Sequence, residues 1–236
     1  MSLPTDQGER AVLHRMKGVI VRTISGREWM CFVIILVYSF VPAFGGLVRV
    51  TELLGAHTVL PANPRALASP LPIVLHILSS FLFCILGAVQ FSPSVRRYHL
   101  SLHRMMGRVV AAAGCISAMT GLWMTHAFAF PEELQGALLY WVRIFLSLAM
   151  VGLIVWAVIA IRSRNVRGHG SAMLRAYAIA QGASTQAFLG IGWMIAFGAE
   201  PQGTARDVMM VSAWGLNFLV AEFLISKLFA RRSFAT

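Results

Sequence analysis

Six apolar runs dominate the chain, at residues 29–48, 71–91, 109–128, 137–161, 176–198 and 208–230. Each reaches the roughly 20 residues that carry a helix across a bilayer. Inside lipid only helices and closed barrels satisfy every backbone N–H and C=O. Barrel strands are shorter, near ten residues, and alternate apolar with polar positions. These runs do neither, so the pattern predicts an all-α polytopic membrane protein, a six-transmembrane-helix bundle forming one domain over residues 29–230. A basic N-terminal segment, 1–28, precedes it and a short tail, 231–236, follows. The first run is longer than the apolar core of a signal peptide and ends without a small-x-small cleavage site, so it reads as a retained first helix. Within 7–27, Val12, Leu13, Met16, Val19, Ile20 and Ile24 share one helical face, which predicts an amphipathic helix lying on the membrane or on a partner subunit. The connection 51–70, with Pro61, Pro64 and Pro70, reads as an irregular loop. Glu132 and Glu133, after Pro131, are expected to open the fourth helix, where its dipole favours acids.

Composition agrees with a bilayer as solvent. Apolar residues make up 58% of the chain and charged residues 12%, about half the charged share of a soluble domain. Mean hydropathy is +0.72. The net charge of +11 would suggest nucleic acid in a soluble protein, but here the cations fall between apolar runs. Sixteen of the 20 lysines and arginines lie in the N-terminal segment, the second and fourth connections and the C-terminal end. The remaining four, Arg49, Arg65, Arg143 and Arg206, fall toward the opposite side with most of the acids. The positive-inside rule then places both termini in the cytoplasm. The natural partners of the charges are anionic lipid headgroups rather than nucleic acid. Cys31, Cys84 and Cys115 all sit in apolar runs and read as small buried hydrophobes, with no CxxCH for covalent haem.

Ionisable residues inside lipid are costly and mark sites of function or packing. His76 lies about a turn inside the second run and His126 ends the third on the same side. His103 opens the third helix at the other side, with His99 four residues earlier, and His169 just precedes the fifth. Neutral imidazole is a common axial ligand of haem iron. Two layers result, His76 with His126 and His103 with His169. Between His103 and His126 a helix rises roughly 35 Å, so the layers occupy the two membrane faces. Helix-end histidines also commonly bond a backbone carbonyl, a plainer role that suits His126 and His99 best. A metal site on His99 and His103 lacks a nearby carboxylate or cysteine to complete it. Gln181, Ser184 and Thr185 form a polar stripe on the fifth helix, read either as a quinone or substrate pocket or as interhelical hydrogen bonds. Glu222 needs a cation such as Arg175 or Lys227. Arg143 is expected to snorkel beside Tyr140 and Trp141, and Ala113, Ser117 and Gly121 give the third helix a small-residue packing face. No GxSxG, P-loop or HExxH is present, so no catalytic residue is assigned.

Two motifs carry a resemblance. One runs from His76 through Gln90 and Phe91 to His103, Arg104, Gly107 and Arg108; the other is His169, Met173, Leu174 and Arg175. Together they resemble a bacterial family of predicted polytopic membrane proteins of unknown function, over about residues 71–190, and the architecture is similar to transmembrane b-type cytochromes. The chain departs from that family in having Gly170, Ser171 and Ala172 after the later histidine and Gln186 and Ala187 after Thr185. The resemblance and the histidine layers together lead to an expected haem b. His103 and His169 ligate at the cytoplasmic side, and His76, with His126, near the other face. Arg104 and Arg175 pair with propionates, and quinone is the redox partner. His76, His103 and His169 are the candidate metal ligands. The expected location is the bacterial inner membrane, multi-pass. The alternative is a non-catalytic accessory or assembly subunit of a larger membrane complex, its His–Arg motifs acting as interhelical clamps. A solute transporter ranks last because broken helices are not foreseen.

Overall fold

The computed structural model describes residues 25–230, and among them the chain is helical without a strand. Nearly all of the basic N-terminal segment, and the tail 231–236, lie outside the described residues. The helices are Gly26–Leu53 (α1), Pro64–Ala68 (α2), Pro70–Gln90 (α3), Pro93–Tyr98 (α4), Leu100–Ala127 (α5), Ala137–Arg162 (α6), Val166–Ala180 (α7), Gly182–Phe197 (α8) and Gly203–Ala230 (α9). Five of them, α1, α3, α5, α6 and α9, are long and apolar enough to cross a membrane.

Local chemistry sets the helix starts. Ser25 and Glu28 form a reciprocal capping box on α1. Proline opens α2, α3 and α4, where its missing N–H costs nothing. The first turn of α6 holds neither Glu132 nor Glu133, which fall in a turn before it. The cap comes instead from another helix: Asp207 of α9 is 3% exposed and accepts from the backbone N–H groups of Gly136 and Leu139, each at 3.1 Å. The expected acidic N-terminus is therefore real in charge but built from a distant residue.

Packing runs α3 on α5, α5 on α6, and α6 on α7. Phe83, Val110, Ile154 and Tyr177 form the middle of the core. Gly114 lets α5 close on its neighbours, since a Cβ there would sit 2.6 Å from both Phe83 and Ile154. Ala113 and Ser117 are buried on the same helix, as the small-residue face predicts. On the outside, Ile34, Val37, Phe40 and Phe44 of α1 are exposed apolar side chains, a surface suited to acyl chains.

The predicted fifth span is the main departure. It starts earlier, at Val166, so that His169 lies on it, and it is broken at Gln181 into α7 and α8. An intact helix would pair the carbonyls of Ala178 and Ile179 with residues 182 and 183. Here they accept from α9: Asn217 Nδ2 reaches Ala178 at 3.2 Å and Trp214 Nε1 reaches Ile179 at 3.0 Å. Gly182 makes this possible, because a Cβ there would lie 1.9 Å from Trp214 Nε1. Freed backbone groups inside a bundle are tolerated when neighbouring helices satisfy them. The polar stripe serves the same break. Gln181 exchanges hydrogen bonds with Ser39 of α1 and accepts from Ser184 at 2.9 Å, while Thr185 bonds Tyr38 and donates to Asn217.

Candidate functional site

The break adjoins a cavity of about 530 Å³ lined by α1, α2, α3, α5, α6, α7, α8 and α9. Its walls are mainly apolar, with Ile77, Leu146, Met150 and Trp214 among them, and are interrupted by His76, Ser80, Ser117, Arg143 and Gln186. This mix of apolar surface and few fixed polar groups is typical of small-molecule and cofactor sites.

His76 is the most defined of these groups. Its Nδ1 lies 2.9 Å from the Ser117 carbonyl and 3.2 Å from Thr120 Oγ1. A carbonyl can only accept, so in the neutral ring Nδ1 carries the proton and Nε2 keeps its lone pair. Nε2 has no partner among the described residues. Gly121 lies alongside the ring: a Cβ there would meet His76 Cε1 at 3.4 Å. Beside it, Ser80 and Ser117 hydroxyls bond at 2.6 Å.

Arg143 does not snorkel outward. It turns into the cavity wall, donating to Gln135 Oε1 at 2.5 Å and pointing Nη2 at Met210 Sδ, 3.7 Å away. Its guanidinium carbon lies 5.7 Å from the centre of the Phe130 ring, and Arg65, also on the cavity wall, lies 4.7 Å from the same ring. At this end Arg49 pairs with Glu52 at 2.8 Å and Arg206 with Glu200 at 3.7 Å. Among the described residues neither Arg65 nor Arg143 has such a partner.

His126 is not brought to His76. It is exposed, bonds Tyr140 at 3.1 Å, and lines a shallow pocket with Trp123 and Trp141. The reason is angular: five residues past Gly121, at about 100° each, turn it away from the face that meets His76. At the other, basic end, His103 lies in the first turn of α5 and His169 in the first turn of α7. His169 Nδ1 bonds the Ala157 carbonyl at 3.0 Å, whereas the buried Nδ1 of His103 and Nε2 of Gln90 lack partners among the described residues. Gln90 packs by Gly107, one turn beyond His103. Arg104 is exposed. Arg175 is committed to Glu222, as the lone carboxylate predicts, through two bonds of 2.5 and 2.8 Å. Among the described residues no three histidine, cysteine or acidic side chains gather into a metal-binding group. The three cysteines are free.

Sequence reasoning missed the roles of Arg65, Arg143 and Asp207. Arg143 carried a signal, a cation within an apolar run, but one equally suited to snorkelling. Arg65 and Asp207 lie outside the runs and carried none.

The fold and cavity define an integral membrane protein of the helical polytopic class. Residues 73–225 match the family model described as Predicted membrane protein (DUF2306), and the chain belongs to that family. No curated protein matches it, and no solved structure does.

Proposed function

We propose that this protein is a b-type haem-binding electron-transfer component of the bacterial inner membrane, exchanging electrons with a membrane quinone. The observation that carries the reading is His76: a cavity-wall imidazole with Nδ1 tied to a carbonyl and Nε2 left as a free lone pair. That hydrogen bond fixes the tautomer, orients the ring and raises the basicity of Nε2, as it does for metal-ligating histidines generally. The donor set fits haem b, which needs an axial nitrogen, an apolar enclosure and cations for its carboxylates. Haem, when bound, supplies a one-electron redox centre. The chain's own part is to present Nε2, keep water away with Leu146, Met150 and Trp214, and hold the ring through Ser117 and Thr120. His103 and His169 are the residues assigned to a second haem at the basic end. The same carbonyl bond at His169 supports that assignment, and the charge pairing of Arg175 with Glu222 leaves Arg104 the freer propionate partner.

The test is a dithionite-reduced minus oxidised spectrum of the protein in mild detergent, with a pyridine haemochrome count. One or two haems b per chain are expected. His76→Ala should remove one of them and His169→Ala should leave that one in place. Folded protein that stays colourless when produced with ample haem would overturn the reading, and co-purification with a partner would then indicate an accessory subunit.

A further inference from the structure

We infer that Arg143 and Arg65, braced on the Phe130 ring, are the carboxylate-recognition element of the cavity, so that its ligand is an amphiphile with an anionic edge. The inference rests on the haem reading and assigns propionate binding to residues other than Arg104 and Arg175. Four arginines gather at this end, and two are already balanced: Arg49 by Glu52 and Arg206 by Glu200. Arg143 is half-buried and meets only neutral groups, an amide oxygen, a thioether and an aromatic face. Asp207 is near enough to act on its charge, but its oxygens accept from the backbone N–H groups of Gly136 and Leu139, and the two form no ion pair. Arg65 likewise has the ring beneath it and no carboxylate. A cation taken out of water without a directly paired carboxylate is costly, and a guanidinium retains donors suited to a planar, two-oxygen anion. Stacking on Phe130 holds both forks in place without consuming those donors. The rest of the cavity lining is mainly apolar and suits the body of the same ligand.

The probe is protoporphyrin IX, which has the two carboxylates but no iron, compared with its dimethyl ester, which has neither charge. Binding to the full chain produced without added haem is followed by porphyrin fluorescence anisotropy. The acid should bind about tenfold more tightly than the ester, and Arg143→Gln should erase most of that difference. Arg143→Lys should restore part of it. Arg65→Gln, in the short helix α2 outside the long spans, should reduce the preference by about threefold. Equal binding of acid and ester, absence of binding by either, or a preference unchanged in both glutamine variants would overturn the inference. The haemochrome count of the wild-type protein decides the haem reading separately, since it depends on iron ligation by His76 and not on this preference.

Discussion

At the scale of single residues, the cavity and the break depend on glycines whose missing Cβ makes a specific contact possible. Gly182 is the sharpest case. With the Trp214 indole nitrogen 1.9 Å from the position of a Cβ, Gly182→Ala cannot be absorbed by a small shift. Trp214 must withdraw and leave the Ile179 carbonyl bare. Overpacking and a lost buried hydrogen bond together predict a destabilisation of about 2–4 kcal/mol, seen as a lower thermal midpoint in detergent and a changed tryptophan emission. An unchanged midpoint would mean that the indole bond contributes little. Residue roles were only partly legible in the sequence. The depth of His76 singled it out, and the acid Glu222 announced its partner Arg175. Neither the carbonyl that fixes the His76 tautomer nor the inward turn of Arg143 can be read from chain position, because both depend on which faces of α3, α5 and α6 meet.

At the scale of elements, the sequence marks the helices well and their ends and interruptions poorly. Long apolar runs located α1, α3, α5, α6 and α9 to within a few residues, apart from the N-terminal extension of α5. The break at Gln181 was not legible there, since the polar stripe of Gln181, Ser184 and Thr185 suits hydrogen bonds between intact helices equally well and no proline intervenes. What allows the break is a pair of donors on α9, more than thirty residues away. Once found, it removes the ground on which a transporter was ranked last, although one broken helix without a repeat does not itself make a transporter. The start of α6 has the same character. Asp207→Ala should uncap it and lower stability by about 1–2 kcal/mol, with Asp207→Asn intermediate because one acceptor survives. Thermal unfolding of the three proteins checks the order. Equal midpoints for aspartate and alanine would show that water replaces the cap.

At the scale of the whole molecule, the two ends differ in kind. Arg96, Arg97, Arg104, Arg162, Arg164, Arg167 and Arg175 gather with His103 and His169 at one end, and the cavity with Arg65 and Arg143 occupies the other half. Charge asymmetry of this size sets orientation. A reporter fused to the C-terminus should therefore fall on the cytoplasmic side, together with one at the N-terminus. Five continuous helices alone would put the termini on opposite sides, so this experiment also decides whether α7 and α8 cross together as one interrupted span. An active periplasmic reporter at the C-terminus would show that they do not.

The reliance of the break on α9 also has a consequence for how the chain is made. Helices enter a membrane in the order of synthesis, and α7 and α8 emerge before the residues that complete them. Until Trp214 and Asn217 arrive, the carbonyls of Ala178 and Ile179 lack the donors that α9 supplies and cannot rest in lipid without cost. The nascent interrupted span must wait at a hydrated site, such as the insertion machinery, for α9. A chain truncated after Phe197 should be held there or degraded, while one truncated after Ala230 should be released as a finished bundle.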